Sequence, residues 1–386
     1  MQEDNPQAHP FPSQPLPPWR RAVIKIGSSL LTDGRGNLGQ HNAAALAALV
    51  ARFRDQGREV LLVSSGAVAA GRGLVAKRGG SLVQRQALAS LGQTPMLALW
   101  QDLVKQPVAQ VLLSHDDLRN RRRYLNAQAT LQELLHSGAL PIINENDTVA
   151  IDELKLGDND NLAAAVATLV DADVLMIATD IPGLYTGHPM RDPDAVPLPL
   201  VKAITPKVMA MTAGGAGALG TGGMATKLEA ASKAAAAGID TALFCGHDAR
   251  ALDALANDQL LGTLIPAHGP RLLARKLWLR HQPASLNRVQ IDDGACHALS
   301  ECGASLLPGG VTGVEGDFSS RAVVDLVSQA GRRIGRGLVQ YHATDLQRIA
   351  GRHSQEIEGL LGFDNGSAVV RRDNLVLFDQ PVATTH

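Results

Sequence analysis

The sequence predicts an α/β protein: a three-layer αβα sandwich with a mainly parallel central sheet, followed by a small β-rich domain. Three observations lead to this prediction. Short apolar segments alternate with helical patterns over about the first 265 residues, which is typical of βαβ units. After residues 266–270 (PAHGP) the pattern changes to short strand-like runs with many glycines and one helix near 344–350. The 386 residues are enough for two domains with sizeable cores.

The same patterns divide the chain into four segments. Residues 1–20 are a proline-rich extension, which we expect to be disordered. Residues 21–265 are the α/β domain, 266–276 a linker and 277–386 the β-rich domain. The elements predicted in the α/β domain are strands at 22–26, 59–63, 108–113, 140–143, 174–178 and 240–244, and helices at 42–56, 84–105, 119–136, 160–170 and 224–237.

Composition and charge narrow the class of function. Hydrophobic residues are 45% of the chain and charged residues 19%, as in ordinary globular proteins. With a formal net charge of -1, the chain has no overall electrostatic field that would attract it to nucleic acid or to a membrane. The three cysteines form no CxxC pair, so we interpret them as reduced, which fits a cytoplasmic protein. The sequence contains neither an apolar run of about 18 residues nor the apolar core of a signal peptide, which predicts no membrane segment.

Small residues with free backbone N–H groups follow two of the predicted strands. The strand 22–26 contains Lys25 and runs into the sequence GSS, and the strand 59–63 runs into SSGA. In open parallel sheets the carboxyl edge is where ligands bind, and such N–H groups suit phosphate. A lysine in a buried strand needs an anionic partner. A surface lysine and ordinary turns remain the alternative, and the Walker A pattern is absent.

Two clusters of acids and carboxamides lie beside apolar elements. One (NEND, 144–147) follows the strand 140–143, and the other (GDNDN, 157–161) precedes the helix 160–170. Because burying unpaired polar groups costs roughly 1–3 kcal/mol each, two such clusters favour a ligand site. Their carboxylates can hold an ammonium group, a metal ion or a lysine. The alternative is a solvated, Asx-rich turn.

The segment 214–227 (GGAGALGTGGMATK) is the most glycine-dense in the chain, and it ends at Lys227 on the helix that follows. Glycines let the backbone approach a polyphosphate, and the N-terminus of a helix favours an anion. A flexible surface loop is the alternative. The basic run at 119–123 has acidic neighbours, so we interpret it as a solvated or inter-subunit face and not a nucleic-acid site.

Six motifs in this order carry a family resemblance: VIKIGSS, SSGAVAAGR, INENDTVA, KLGDNDNLAA, TDIPGLYT and ALGTGGMATK. With them the chain resembles the glutamate 5-kinases of the amino acid kinase family. The segments GASLLPGGV and RIAGRHSQEIEGLLGF resemble the C-terminal PUA domain of bacterial members. The resemblance implies an amino acid kinase fold for the catalytic domain at 21–265 and a PUA-like domain at 277–386.

The resemblance implies ATP-dependent phosphorylation of the side-chain carboxylate of L-glutamate to L-glutamyl 5-phosphate, the first step of proline biosynthesis. The implied cofactors are ATP and Mg²⁺, and L-proline is implied as a feedback inhibitor. A cytoplasmic homo-oligomer, dimer or tetramer, is expected. A contact with the next enzyme of the pathway is left open, and neither RNA nor a membrane is expected as a partner.

Roles for single residues follow from the motifs that match. The resemblance implies Lys25, Asp160 and Lys227 as catalytic residues, with Asp160 organising the two lysines. The residues implied to bind glutamate are Ser65, Asp147 and Asn159. Those implied to bind ATP are Lys25, Thr179, Asp180, Thr221, Gly222, Gly223, Met224, Ala225, Thr226 and Lys227. No side chain is assigned to the metal, because Mg²⁺ would take its oxygens mainly from phosphates and water. The roles of Lys155 and Asp158 stay open.

Two departures and three rival functions accompany this interpretation. Ser28 and Ser64 stand where many members of the family have threonine, and both keep a hydroxyl group. The rivals are another acyl-phosphate or carbamate kinase of this fold, an RNA-binding protein that acts through its PUA domain, and a non-catalytic regulatory homologue. Retention of Lys25, Lys227 and Asp160 is evidence against the last of these.

Overall fold

The chain folds into two compact units, residues 1–268 and 269–386, in a computed structural model. The division falls inside the predicted linker, and the domain boundaries given above stay predictions. The structure describes residues 9–33, 38–75, 81–149, 159–212, 223–267, 276, 279–280, 285–320, 322–363 and 365–378.

The first unit is built on an eight-stranded sheet. Its strands are β1 (Ser13–Pro15), β2 (Arg21–Ile26), β3 (Glu59–Ser64), β4 (Val108–Leu113), β5 (Leu140–Glu145), β6 (Val174–Thr179), β7 (Asp240–Cys245) and β8 (Gln259–Ile265). They lie in the order β1-β8-β7-β6-β2-β3-β5-β4. Strands β2 to β7 run parallel, and β8 and β1 add antiparallel pairs at one edge.

Helices cover both faces of this sheet. They are α1 (His41–Asp55), α2 (Ala67–Arg72), α3 (Leu82–Val104), α4 (His115–Arg119), α5 (Arg121–His136), α6 (Asn159–Leu169), α7 (Pro206–Ala210), α8 (Met224–Ala236) and α9 (Ala249–Ala256). Along β2, Ile24 and Ile26 face one core with α1, α3 and α9, while Val23 faces the other core with α6 and α8. Because both faces are covered, the central strands are apolar throughout. The predicted three-layer sandwich is confirmed.

The second unit is a five-stranded sheet of mixed direction. Its strands are β9 (Arg288–Ile291), β10 (Val311–Glu315), β11 (Val323–Ser328), β12 (Arg333–Val339) and β13 (Val370–Leu377), in the order β10-β9-β11-β12-β13. The parallel pair is β9 with β11. Leu326, Tyr341 and Leu346 are fully buried in its core. The predicted β-rich domain is confirmed.

The helix predicted near 344–350 is confirmed, but the prediction that it is the one helix of the second unit is wrong. The described residues of this unit include the α-helices α10 (Asp293–Glu301), α11 (Ala343–Ile349) and α12 (Ile357–Leu361). Helix α10 begins at Asp292, whose carboxylate accepts a hydrogen bond from the backbone N–H of Ala295 at 2.7 Å. At nine residues or fewer, α10 and α12 are too short for a strong periodic signal.

The prediction of disorder for residues 1–20 is also wrong within the described part of the segment, residues 9–20. Strand β1 pairs with β8, with Gln14 opposite Leu260. Phe11 is 1% exposed and Leu16 is 7% exposed, so both side chains are part of the core. Proline is tolerated here because β1 is an edge strand, where missing N–H donors cost little. None of the described helices combines the length and apolarity needed to span a bilayer.

Candidate active site

Four parallel strands end at one edge of the first sheet, and the predicted site residues follow these ends. Ile26 of β2 stands opposite Ser64 of β3 on one side and Ala178 of β6 on the other. Strand β5 lies beyond β3 and ends at Glu145. The topology therefore brings together segments that are far apart in the sequence, at the edge where parallel sheets bind ligands.

The turn after β3 depends on a glycine. Gly66 has φ of 106°, a left-handed conformation that side chains other than glycine adopt only with strain. The turn leads directly into α2, and the N–H of Ser65 donates to the carbonyl of Ile26 at 3.1 Å. This places Ser65 beside the end of β2, the strand that carries Lys25.

Asp160 lies between two lysines from distant parts of the chain. Lys25 Nζ on β2 is 2.5 Å from Asp160 Oδ1, and Lys227 Nζ on α8 is 3.3 Å from Asp160 Oδ2. The three residues are 5%, 1% and 8% exposed, in the order Lys25, Asp160, Lys227. These two ammonium groups and one carboxylate together carry one net positive charge. Burying a net charge is costly, and an anionic ligand would compensate for it.

The ionisation of Asp160 follows from these neighbours. Burial alone would raise the pKa of its carboxyl group, but the charges of Lys25 and Lys227 outweigh burial and hold the pKa below its ordinary value. The Thr226 hydroxyl supports the charged form by donating to Asp160 Oδ2 at 2.7 Å. The carboxylate is thus fixed in place and ionised, with α6 and α8 held side by side by its contacts.

A second cluster, of neutral polar groups, lies one residue before Asp160. The amide nitrogen of Asn159 donates to Ser65 Oγ and to Asn144 Oδ1, both at 2.9 Å. Asn144 and Asn159 are each 4% exposed. The amide oxygen of Asn159 is buried and has no hydrogen-bond partner among the described residues. Because both amide hydrogens are engaged, Asn159 can offer only its oxygen, as an acceptor, to a ligand.

Two residues near this cluster were given no individual role from the sequence. Asn144 orients Asn159, as described above. Trp100 of α3 is fully buried and donates from Nε1 to Ser64 Oγ at 3.0 Å, while that hydroxyl donates to the Ser65 carbonyl at 3.2 Å. The dense NEND motif was a signal for Asn144. Nothing local marks Trp100, because its partner lies on another element.

Asp147 lies after β5 and is half-buried. Burial raises the pKa of its carboxyl group to about 6. Its neighbour Glu145 is 3% exposed at the end of the strand. A carboxylate with a raised pKa gains from a cation, so Asp147 has the character expected of a residue that meets a ligand ammonium group.

The predicted nucleotide residues are only partly described. Thr179 ends β6, and its hydroxyl donates to the Ile181 carbonyl at 2.5 Å and accepts from the Ile181 N–H at 3.0 Å, so it closes a turn. Asp180 is exposed beside it. Gly223 is the N-cap of α8, and its carbonyl oxygen lies 2.9 Å from the Thr226 hydroxyl oxygen. The remaining ATP-binding predictions on α8, Met224 and Ala225, form its first turn. Four predicted or open positions lie outside the described residues: Lys155, Asp158, Thr221 and Gly222.

The described side chains do not form a cage for a metal ion. Within those residues there is no group of three or more His, Cys, Asp or Glu suited to hold one. Both oxygens of Asp160 are already engaged, Oδ1 by Lys25 and Oδ2 by Lys227 and Thr226. A magnesium ion at this edge would therefore depend on oxygens from a ligand and from water.

Comparisons with known proteins agree with this architecture. The model of the amino acid kinase family matches residues 20–245, and the model of the PUA domain matches residues 287–361. The glutamate 5-kinase of Xylella fastidiosa (strain 9a5c) is 55% identical over 374 residues, which cover 95% of this chain and 97% of that one. The glutamate 5-kinase of Xanthomonas euvesicatoria pv. vesicatoria (strain 85-10) is 57% identical over 361 residues, 92% of this chain and 100% of that one.

A comparison of structures finds a weaker likeness. UMP kinase from Bacillus anthracis overlaps 66% of this chain and 98% of its own, with a TM-score of 0.46 and 15% sequence identity. This similarity is too low to bear on function.

Proposed function

The chain belongs to the amino acid kinase family, among its glutamate 5-kinases, and we propose that it transfers the γ-phosphoryl group of ATP to the side-chain carboxylate of L-glutamate. The products are ADP and L-glutamyl 5-phosphate. The observation that carries the proposal is the buried Asp160 with Lys25 on one oxygen and Lys227 on the other, at the carboxyl edge of a parallel sheet. The relatives reported above supply the identity of the substrate.

The main difficulty of this reaction is charge. A glutamate side chain is an anion at neutral pH, and so are the phosphates that it must approach. Ammonium groups at the site lower this repulsion and stabilise the charge that develops on the transferring group. Lys25 and Lys227 supply two such groups, and Asp160 fixes their positions without cancelling both charges.

The chemical step needs no general base. One oxygen of the ionised carboxylate forms a bond to the γ-phosphorus, and the bond from that phosphorus to the bridging oxygen of ADP breaks. The electron pair of the broken bond stays on ADP, so no proton moves in this step. Catalysis then rests on positioning and electrostatics, which are the two things that a rigid lysine–aspartate–lysine arrangement provides.

Glutamate would bind beside this arrangement through its amino acid end. The ionised Asp147 and the amide oxygen of Asn159 both accept, so both suit the α-ammonium group. Ser65 lies 2.9 Å from the Asn159 amide and can offer its hydroxyl to a carboxylate. L-proline carries the same ammonium and carboxylate pair, and its feedback inhibition would use this part of the site.

The nucleotide would lie on the side of Thr179, Asp180 and the start of α8, with Lys25 toward its phosphates. Mg²⁺ would be coordinated by the phosphate oxygens, since the oxygens of Asp160 are engaged by the lysines. A homo-oligomer, a contact with the next enzyme of the pathway and a cytoplasmic location stay predictions.

The test is a coupled assay in which hydroxylamine traps the acyl phosphate as a hydroxamate. ATP, Mg²⁺ and L-glutamate should give both ADP and hydroxamate. Lys227→Ala should lower kcat by about 10³-fold, because it removes a buried charge aimed at the transferring group. The matched control is Lys207→Ala, since Lys207 is an exposed lysine on α7. Its kcat should stay within about two-fold of wild type.

Other outcomes separate the rival functions. ADP release with a different carboxylic acid or with carbamate, but not with glutamate, would keep the kinase and discard the proposed substrate. No turnover with any acid, together with binding of RNA in a salt-dependent gel shift, would favour the PUA domain as the functional part.

A further inference from the structure

We infer that residues 9–16, called the N-terminal strap here, position the nucleotide-side loop at 180–185, with Phe11 as the main positioning residue. This inference rests on the proposed function, because Asp180 of that loop is proposed to face ATP. It goes beyond that function in assigning a role to a segment outside the kinase motifs. The family model begins only at residue 20.

Residues 13–16 of the strap are held to the sheet. Strand β1 pairs with β8. The Gln14 side-chain amide donates to the carbonyls of Pro199 at 2.7 Å and Gly262 at 3.1 Å. The N–H of Leu16 donates to the Asp258 carbonyl at 2.9 Å. These contacts fix one end of the strap independently of the nucleotide-side loop.

The other end of the strap packs against that loop. The Phe11 ring meets the Tyr185 ring edge to face, with centroids 5.3 Å apart and planes at 85°. A β-carbon placed on Gly183 would lie 2.8 Å from Phe11 Cζ and 2.7 Å from Thr263 Oγ1. The loop backbone therefore approaches the Phe11 ring as closely as a glycine allows, and Phe11 is 1% exposed.

Thr263 connects the same loop to the same edge of the sheet. Its hydroxyl accepts from the Leu184 N–H at 2.8 Å and donates to the Leu198 carbonyl at 2.7 Å. The loop thus lies between the Phe11 ring and β8. Movement of the ring would remove one of the two supports of the segment from Gly183 to Tyr185, and Asp180 lies only three residues before it.

A third contact ties the strap to the neighbouring strand end. The His9 side chain is 7% exposed, and its Nε2 lies 3.4 Å from the Asp248 carboxylate. Asp248 also caps α9 by accepting from the Arg250 N–H at 2.9 Å. The Gly246 N–H donates to the Thr179 carbonyl at 2.9 Å, so the end of β7 is joined to the start of the nucleotide-side loop. The strap therefore contacts the nucleotide-side loop directly through Phe11, and it is joined to the start of that loop indirectly through Asp248 and the end of β7.

The test compares Phe11→Leu with Phe53→Leu in the full-length chain. Phe53 is a fully buried phenylalanine on α1 of the same unit, in the core on the other side of β2 from α6 and α8. Both variants lose an aromatic ring from the core, so both should lower Tm. Only Phe11→Leu should weaken ATP binding, by about five-fold in Kd, because fewer molecules hold the loop in its binding conformation.

Binding of Mg²⁺–ATP is measured by calorimetry, and the KM values for ATP and for glutamate are measured where activity is present. The expected result is a raised Kd and KM for ATP with KM for glutamate within about two-fold of wild type. Equal ATP affinity in Phe11→Leu and wild type, with Tm lowered, would overturn the inference. So would equal weakening by Phe53→Leu. If the wild-type chain binds ATP but does not phosphorylate glutamate, the strap is still tested and the proposed substrate alone fails.

Discussion

Two aspartates of this chain are almost fully buried between two cations each, yet their surroundings differ. Asp160 in the first unit holds Lys25 at 2.5 Å and Lys227 at 3.3 Å. Asp325 in the second unit holds Arg336 at 2.6 Å and Arg333 at 3.1 Å. Each aspartate is 1% exposed. Burial and pairing alone therefore do not distinguish a reactive site from a structural one.

The two clusters differ in their position in the sheet. Asp325 lies within β11, opposite Arg336 in the antiparallel ladder with β12. It also accepts from the Ser285 N–H at 3.2 Å, and Arg336 donates to the Leu279 carbonyl at 3.3 Å. Asp160 instead stands at the carboxyl edge of a parallel sheet, beside the ends of β2 and β3. The groups around Asp325 bond to other parts of the protein. The groups around Asp160 lie at an edge of the sheet where a ligand can bind.

The cations differ as well. Arg333 and Arg336 both lie over the Phe378 ring, at 4.8 Å and 5.6 Å from its centroid. A guanidinium is held by its planar shape and by stacking, which suits a fixed structural role. A lysine ammonium is a compact charge with three donors, so it can contact a phosphate oxygen while it stays on Asp160. The type of cation and the position in the sheet separate the two roles better than burial does.

The largest expected effect comes from Asp160→Asn. The substitution keeps the size of the side chain and removes the charge that holds both lysines. We expect kcat to fall by about 10³-fold, because preorganised charge is the main catalytic contribution here. The measurement is the hydroxamate assay on folded protein, with hydrogen exchange of β11 and β12 as the control for the second unit. A kcat within about three-fold of wild type would contradict a central role for Asp160.

The corresponding change in the second unit, Asp325→Asn, should affect stability and spare the reaction. Leaving the buried Arg336 without a full counter-charge should cost about 3 kcal/mol. Amide exchange in β11 and β12 should then accelerate by about 10²-fold, while the amides of β2 and β6 keep their protection. Mass spectrometry of exchanged peptides measures both regions in one sample.

The control for Asp325→Asn is Glu315→Gln, which removes an exposed ion pair. Glu315 lies 3.6 Å from Arg288, and their side chains are 63% and 51% exposed. We expect no measurable change in exchange, since exposed pairs contribute little. If Asp325→Asn lowers kcat as strongly as Asp160→Asn, the distinction between the two clusters is wrong.

The smallest expected effect is a pH dependence of glutamate binding. Burial raises the pKa of Asp147 to about 6, so this carboxylate loses its charge as pH falls from 7 to 5.5. The KM for glutamate should rise by about four-fold over this range, in proportion to the ionised fraction. The kcat should stay nearly constant, because the lysines lower the pKa of Asp160 and keep it ionised.

Two checks accompany this pH experiment. Asp147→Asn should raise KM at neutral pH and remove its change between pH 7 and 5.5. Stability should move in the other direction from binding. The folded-state pKa of Asp147 lies above the ordinary value of 3.8, so this group adds stability as pH falls from about 6 toward that value. A KM that rises equally in Asp147→Asn would assign the pH effect to another group.

Much of the fold could be predicted because it depends on local patterns. The strands that carry the site are continuous apolar runs, and the predicted strand at 174–178 differs from β6 by one residue. Weak or short signals were missed. Strand β1 was hidden by Pro15 and the prolines around it, and the helices α10 and α12 of the second unit were too short for a clear period.

The sequence predicted which segments and which charged residues form the candidate site, but not all of the contacts between them. Lys25, Asp160 and Lys227 were identified from motifs, and the structure places both lysines on Asp160. The partners of Asn159 were not predictable, since the choice between its amide nitrogen and oxygen depends on where Ser65 and Asn144 lie in space.

The sequence by itself determined the alternation of strands and helices in the first unit, the polar residues at the strand ends and the family. These depend on neighbours in the chain and on motifs that can be compared directly. Only the tertiary structure decided that Phe11 packs on Tyr185 and that Asp325 is saturated by Arg336 and Arg333. The physical reason is that such contacts are set by how whole elements pack. Phe11 and Tyr185 meet because β1 joins the edge of the sheet by pairing with the distant strand β8, with Ser13 opposite Leu261.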